Sequence, residues 1–183
     1  MSNQTVIVED YDPAWPRDFE MLRQRIWPGV ADVALRIEHV GSTSVPGLAA
    51  KPIIDMTIVV ASRLEVPKAI ERLAPLSYVH RGSLGIDDRE AFDHPADMRR
   101  HNLYVCPAET IGVVNQIAVR DYLRAHPDAA ARYGALKKQL ADQFPGDFDS
   151  YVLGKTDCVI EILRGAGLTP EQIDKIERDN RRP

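Results

Sequence analysis

The chain has 183 residues, with 23 lysines and arginines against 27 aspartates and glutamates, and its formal net charge at pH 7 is −4. This length and a hydrophobic content of 44% are typical of one soluble domain, and a mildly acidic chain is a poor general binder of nucleic acid. The sequence has no apolar run near the roughly 20 residues of a membrane span, and acidic residues near its start argue against a secretion signal. We therefore expect a single cytoplasmic domain over residues 1–183, whose two cysteines form no disulfide framework and no zinc site.

The first part of the chain, about residues 1–108, mixes short strands and helices. A helix is predicted over 17–26, because its apolar residues recur at helical spacing. The most apolar run, residues 53–61, is predicted to be a buried strand that carries one charge, Asp55. The other predictions, in chain order, are a β-branched start over 6–11, a strand over 35–40, a polar loop over 41–52, a helix over 66–74, a strand over 78–81, an exposed excursion over 82–100 and a strand over 102–106.

From about residue 109 the pattern becomes helical. Helices are predicted over 109–125, 127–144 and 147–164, each ended by proline or glycine, and a last short helix begins after Thr169. Together these elements predict an α/β (α+β) fold. It consists of a mixed sheet of roughly four to six strands flanked by helices, with a helical C-terminal segment over about 109–183 packed onto the sheet.

The polar loop over 41–52 and the strand after it form the clearest candidate site. Gly41 lets a ligand approach the backbone closely, and Ser42, with Thr43 beside it, offers a hydroxyl and an amide to phosphate oxygens. Asp55 on the next strand would hold a Mg²⁺ ion that bridges the same phosphates. Phosphoryl and nucleotidyl transfer need this combination of positioning and charge neutralisation. The residues therefore predict a phosphate site at Gly41, Ser42 and Thr43, with Asp55 as metal ligand and catalytic residue.

Each of these features also has a purely structural interpretation. A carboxylate inside an apolar strand must pair with a cation, accept hydrogen bonds or bind a metal, so Asp55 could form an ion pair with Lys51. Lys51 could equally reach a phosphate group. The loop could be no more than a tight turn, because glycine, serine and proline dominate turns for steric reasons. His39 could flank the site, but a single histidine on a strand is more often structural. His101 has no partner at metal-ligand spacing and is also interpreted as structural.

Three pairs of residues on the predicted C-terminal helices stand four positions apart, which puts both members on one helix face. They are Arg120 with Arg124, Tyr133 with Lys137, and Tyr151 with Lys155. In one interpretation, Arg120, Lys137 and Lys155 supply positive charge to a phosphorylated ligand held against the sheet. In the other, the tyrosine rings pack between helices and the lysine stems lie along them.

The string EHVGSTSVPGLAAKPIID, residues 38–55, resembles the hallmark of the GrpB family, a branch of the DNA polymerase β-like nucleotidyltransferase superfamily. The resemblance extends over nearly the whole chain, through Tyr11–Pro16, His101–Val105, Arg120–Pro127 and the later Tyr133, Lys137, Tyr151 and Lys155. It implies a nucleotidyltransferase-like fold that binds a nucleoside triphosphate, or a related phosphorylated ligand, together with Mg²⁺. It also implies transfer of a nucleotidyl group to an acceptor that the sequence does not identify, with Lys51 and Arg120 or Lys137 facing the developing negative charge.

The sequence departs from the superfamily pattern at the metal ligands. Active members usually present two carboxylates two residues apart on one strand, but the position two residues beyond Asp55 is Thr57. Residues 101–106 contain no third carboxylate, and the family's frequent His-x-His reads Asn102-Leu103-Tyr104 there. Two hypotheses follow. The protein is a nucleotidyltransferase that works with one metal ion, or it is a catalytically degenerate module that binds a nucleotide or phosphometabolite without transfer.

Overall fold

A mixed five-stranded sheet is the centre of the fold in the computed structural model, which describes residues 5–180 and the side chains of residues 5–178. The strands lie in the order β1-β2-β5-β4-β3. The pairing of β2 with β5 is parallel, and the other three pairings are antiparallel. The strands are β1 (Ala34–Val40), β2 (Ile54–Val60), β3 (Val79–His80), β4 (Glu90–Asp93) and β5 (His101–Pro107).

Seven helices cover the two faces of this sheet over the described residues. They are α1 (Trp15–Val30), α2 (Val66–Leu73), α3 (Ile111–Ala125), α4 (Pro127–Gln143), α5 (Phe148–Gly154), α6 (Thr156–Gly165) and α7 (Pro170–Asn180). None of the helices in this part of the chain is long and apolar enough to cross a membrane. The architecture confirms the predicted mixed sheet with a helical C-terminal segment.

The central strand β2 sends alternate side chains to opposite faces of the sheet, as the pleat of a strand requires. Ile54, Met56 and Ile58 are fully buried against α1 and α2, in the largest hydrophobic cluster of the described chain. Burying each such side chain contributes roughly 1.5–3 kcal/mol, so this face fixes the register of the strand. Asp55 and Thr57 consequently point to the other face, which the C-terminal helices partly cover.

The structure differs from the sequence predictions in two places. The excursion over 82–100 contains strand β4, which is too short to give an alternating pattern. The helix predicted over 147–164 is two helices that meet at Lys155. Gly154, the last residue of α5, packs so closely on α4 that a Cβ there would lie 2.5 Å from Leu140 Cδ2.

Candidate functional site

A cleft of about 330 Å³ lies between the polar loop, the neighbouring ends of β2 and β5, and helices α4 to α6. We call it the lysine cleft. Seven of the eight site residues predicted from the sequence line it: Gly41, Ser42, Thr43, Lys51, Asp55, Lys137 and Lys155. The eighth, Arg120, does not line it. The structure thus brings together side chains from parts of the chain that are distant in sequence.

The loop enters the cleft through an unusual backbone conformation at Gly41. Its φ of 68° and ψ of −175° lie in a region that is essentially restricted to glycine. A Cβ atom at this position would overlap Asp55 Oδ2 and lie 2.9 Å from Asp55 Cγ. The next three residues, Ser42–Ser44, form a 3₁₀ turn, and Ser44 Oγ donates a hydrogen bond to the Gly41 carbonyl at 2.6 Å. Gly41 is therefore required for the contact between loop and carboxylate.

Asp55 occupies the start of β2, directly opposite Asn102 in the parallel register with β5. Asn102 Nδ2 donates a hydrogen bond to Asp55 Oδ1 at 2.7 Å. The loss of water around the carboxylate raises its pKa above the ordinary value, against the opposing effects of Asn102 and of nearby lysines. Among the described side chains, no lysine or arginine lies within 4.0 Å of Asp55, so the direct ion pair with Lys51 is not formed.

Three lysines face this single carboxylate, each with its ammonium group over an aromatic ring. Lys51 lies 4.5 Å from the centre of the Phe148 ring, Lys137 lies 4.7 Å from that of Tyr133, and Lys155 lies 4.5 Å from that of Tyr151. Tyr133 and Tyr151 are buried between the helices. The rings therefore pack between the helices, as the structural interpretation expects, and the ammonium groups that they support line the cleft.

Lys137 is the most enclosed of the three lysines, with 3% of the residue exposed. Its Nζ donates hydrogen bonds to Ser42 Oγ at 2.7 Å and to the Ala49 carbonyl at 2.5 Å. Burial lowers its pKa to about 7, and burial together with Lys51 lowers the pKa of Lys155 to about 8. The cleft thus holds more positive charge than its own carboxylate balances. An anionic ligand would neutralise the excess charge and reduce the repulsion between the lysines.

Thr57 takes no part in a metal site, because its hydroxyl is used elsewhere. The residue is 1% exposed, and its Oγ1 donates a hydrogen bond to Gln116 Oε1 on α3 at 2.7 Å. In the described part of the chain, no three histidine, cysteine or acidic side chains cluster in a way that could hold a metal ion. The described side chains offer one carboxylate, Asp55, to a Mg²⁺ ion, and they do not fit the two ions of active nucleotidyltransferases.

Arg120 corrects one sequence prediction, since its guanidinium is used to position the loop. It donates hydrogen bonds to Glu38 Oε2 at 2.6 Å and to the His39 carbonyl at 3.1 Å. Arg124, one turn later, donates to the Ser44 carbonyl at 2.8 Å. Both arginines therefore tie α3 to the backbone around the loop. Sequence spacing identified their shared helix face but not which side of the loop that face meets.

Replacing Arg120 with alanine is expected to lower the free energy of unfolding by about 1–3 kcal/mol, because the Glu38 carboxylate and the His39 carbonyl would lose a charged donor. Chemical denaturation of wild type and Arg120→Ala measures this loss. Arg120 lies outside the lysine cleft, so the affinity of the variant for phosphorylated ligands should stay within about threefold of wild type. Loss of a direct contact with the ligand would lower that affinity roughly tenfold for each 1.4 kcal/mol. A larger loss of affinity would mean that Arg120 contributes to ligand binding.

The two histidines are structural, as expected. His39 stacks on Phe19 with ring centres 4.6 Å apart and shares a hydrogen bond with Thr43 Oγ1 at 3.0 Å. His101 Nδ1 lies 2.6 Å from the Arg99 carbonyl, and its Nε2 lies 2.7 Å from the Tyr78 hydroxyl. Burial lowers both histidine pKa values to about 4, so both rings are neutral at pH 7.

Four residues in or beside the lysine cleft were not predicted as site residues from the sequence: Asn102, Tyr104, Gln116 and Phe148. Asn102 and Tyr104 reach the cleft because β5 pairs in parallel with β2, so alternate residues of both strands share one face. That alternation was available in the sequence, but the register was not. Phe148 is 51% exposed and gives no signal of its own. Its role follows only from the position of Lys51.

The fold is similar to that of solved nucleotidyltransferases. Cid1 in complex with the UTP analogue UMPNPP aligns with a TM-score of 0.51 at 8% identity, over 75% of this chain and 42% of Cid1. Terminal uridylyl transferase 4 from Trypanosoma brucei with bound UTP aligns with a TM-score of 0.50 at 18% identity, over 91% of this chain and 57% of that one. At these identities the likeness concerns the fold alone, and it confirms the predicted nucleotidyltransferase-like architecture.

Closer relatives define the family. The family described as GrpB protein matches residues 5–165. UPF0157 protein YqkA of Bacillus subtilis is 36% identical over 149 residues, which is 81% of this chain and 43% of YqkA, so the chain spans less than half of that relative. The crystal structure of conserved protein GrpB from Enterococcus faecalis is 34% identical, covers 87% of this chain and 96% of its own, and aligns with a TM-score of 0.78. The chain belongs to the GrpB family.

Proposed function

We propose that the lysine cleft binds a nucleoside triphosphate or a related phosphorylated ligand. The observation that carries this proposal is the convergence of Lys51, Lys137 and Lys155 on one cleft that contains a single carboxylate. Ammonium groups with lowered pKa values in a partly enclosed cleft recover favourable interactions when a polyanion arrives. Phosphate groups are the common biological anions with enough charge to engage three lysines at once.

The residues of the loop would contact the phosphate groups of the ligand directly. Ser42 presents its hydroxyl, with Lys137 Nζ already hydrogen-bonded to it, so one phosphate oxygen can contact both groups. Gly41 has no side chain, so a phosphate group can approach its backbone closely. The rings under the lysines exclude water from one side of each ammonium group, which strengthens its interaction with an anion.

The nucleotide part of the proposal is supported by the fold neighbours. Cid1 is described with a UTP analogue and terminal uridylyl transferase 4 with UTP, and both share the architecture around the sheet. When bound, Mg²⁺ would supply additional charge neutralisation, and Asp55 is the residue of this chain that would hold it. Transfer of a nucleotidyl group to an acceptor is the catalytic form of the proposal. The bond between Thr57 and Gln116 favours the second form, a module that binds the ligand without two-metal transfer.

Thermal unfolding with a panel of nucleoside triphosphates, sugar phosphates and uncharged nucleosides tests the proposal. A ligand at 100 times its Kd stabilises the folded state by about 2.7 kcal/mol. We expect triphosphates to raise the Tm, nucleosides to leave it unchanged, and the increase to persist in EDTA because the lysines carry most of the binding. Any further increase with Mg²⁺ should disappear in Asp55→Asn. A Tm that no phosphorylated ligand changes would refute the proposed function.

Ligand affinity should fall as the pH rises from 7 to 9. Lys137 and Lys155, with pKa values of about 7 and 8 in the free protein, lose their protons across this range. A bound polyanion favours the protonated form of each lysine, so the protein takes up protons when it binds the ligand at pH 8. The affinity therefore falls by up to about tenfold per pH unit for each proton taken up. Titration calorimetry at pH 8 in two buffers of different ionisation enthalpy measures the uptake. Equal heats in both buffers would contradict the prediction.

A further inference from the structure

Arg89 has no acidic partner in the described structure, although it is only partly exposed. Its Nε is buried without a hydrogen-bond partner, and its Nη2 reaches the Ser83 carbonyl only at 3.4 Å. Among residues 5–178, no carboxylate lies within 4.0 Å of the guanidinium. The acidic neighbours in sequence are used elsewhere, because Asp88 binds Arg63 at 2.6 Å and Glu90 binds His80 at 2.6 Å.

The guanidinium is held in place by an aromatic ring that also belongs to the lysine cleft. It lies 4.7 Å from the centre of the Tyr104 ring, and Tyr104 lines that cleft. Arg89 itself lines a smaller cleft of about 140 Å³ between the 82–100 segment, the start of α3 and α7, which we call the arginine cleft. An arginine that is positioned by stacking, and that has no acidic partner among the described residues, is suited to bind the oxygens of an anionic group through its terminal N–H groups.

A third cleft lies next to both of these. Its volume is about 230 Å³, and we call it the amide cleft because Asn115 and Gln116 line it. It shares Gly41, Tyr133 and Lys155 with the lysine cleft, and it shares both amides with the arginine cleft. The three clefts therefore lie side by side along α3, with cationic side chains at both ends and amide and apolar groups between them, and we call them together the groove.

Thr57 orients one of the two amide side chains of this groove. Its hydroxyl donates to Gln116 Oε1, which leaves the Gln116 amide nitrogen as the group available to a ligand. The Asn115 side chain has no hydrogen-bond partner among the described residues. Two amides beside the valine side chains of the amide cleft can contact an uncharged polar segment of a ligand.

We infer that the arginine cleft is a second anion-binding subsite, in which Arg89 binds a terminal carboxylate or phosphate of a molecule that extends along the groove towards Lys155. The molecule is either an acceptor or the far end of the ligand in the lysine cleft, and in both cases it has an uncharged polar segment next to its anionic end. The assignment of the opposite end of the groove rests on the proposed function, whereas the arginine cleft does not.

Titrations of ¹⁵N-labelled protein with sodium pyrophosphate, and separately with succinate, test this inference by nuclear magnetic resonance. The backbone amide of Gly112 reports on the arginine cleft, and that of Gly41 reports on the lysine cleft. We expect both signals to shift, with two different Kd values. In Arg89→Gln the affinity measured at Gly112 should fall at least tenfold, while that measured at Gly41 stays within twofold of wild type. The preferred anion, phosphate or carboxylate, is the one with the lower Kd at Gly112.

Two control variants separate this site from a general effect of charge. Arg17→Gln removes an exposed arginine on α1, which packs against the opposite face of the sheet, and should leave both affinities unchanged. Arg89→Lys keeps the charge but loses the planar fork, and should weaken binding at Gly112 severalfold. The inference is overturned if Gly112 does not respond to either anion in wild type, or responds equally in Arg89→Gln. A response at Gly112 that needs Arg89, without one at Gly41, would support the inference and count against the proposed function.

Discussion

Replacing Lys137 with methionine is expected to weaken nucleoside triphosphate binding by about 100-fold, which corresponds to about 2.7 kcal/mol. Lys137 Nζ is the buried donor at the centre of the lysine cleft, hydrogen-bonded to Ser42 Oγ at 2.7 Å. A hydrogen bond between an ammonium group and a phosphate oxygen in such surroundings contributes roughly 1.5–3 kcal/mol, and Ser42 would also lose its partner. Titration calorimetry with the best triphosphate of the panel measures the change.

The same substitution should leave the fold nearly as stable as in wild type. Burial lowers the pKa of Lys137 to about 7, which means that the charged side chain is held in the cleft at a cost in free energy. Methionine fills a similar volume without that cost, and the gain offsets the hydrogen bond lost by the Ala49 carbonyl. A residue that is costly to stability and needed for binding is the expected signature of a functional site.

The neighbouring residue provides a matched control. Lys138 is on the same helix, its side chain is 44% exposed, and its Nζ pairs with Asp10 Oδ1 at 2.5 Å. Lys138→Met removes the same charge from the protein but none from the lysine cleft, so triphosphate affinity should change by less than about twofold. Equal losses in the two variants would mean that net charge, and not the cleft, determines binding.

The predicted site residues that the structure brings together in one cleft are those with a local signal in the sequence. Asp55 is the only charge in a long apolar run, and the adjacent Gly-Ser loop is long and polar, so both stand out without knowledge of the fold. The spacing of Tyr133 with Lys137 and of Tyr151 with Lys155 put each pair on one helix face. What spacing could not supply was the direction of each face, and the structure turns both lysines towards Asp55.

The sequence could not supply the predictions that depend on tertiary contacts. Arg120 was expected in the site with Lys137, but its guanidinium binds Glu38 on strand β1, before the loop. Asn102 was noted as a departure from the family pattern, but its hydrogen bond to Asp55 depends on the parallel register of β2 and β5. Arg89 lies in a segment without periodicity, and its stacking on Tyr104 follows from strand β4, which the sequence did not predict.

Replacing Gly41 with alanine is expected to lower the free energy of unfolding by about 3 kcal/mol. Gly41 has a φ of 68° and a ψ of −175°, and a residue with a side chain in that region costs of order 1–3 kcal/mol. The new Cβ would also overlap Asp55 Oδ2 and lie 2.9 Å from Asp55 Cγ, so the carboxylate must move or the loop must open. For a chain of this size, the loss lowers the Tm by about 10 °C. Thermal and chemical denaturation measure both quantities.

Gly47→Ala separates the two causes of this loss. Gly47 also has a positive φ, 78°, but no heavy atom lies within 4 Å of the position where its Cβ would be, so alanine there causes backbone strain without a clash. The excess cost of Gly41→Ala over Gly47→Ala therefore estimates the cost of displacing Asp55. In an Asp55→Ala background, which removes Oδ2 and Cγ, most of that excess should disappear, because only the Asp55 Cβ at 3.0 Å remains close. An undiminished excess would mean that Gly41 is required by the loop alone, and not by the contact between the loop and the carboxylate.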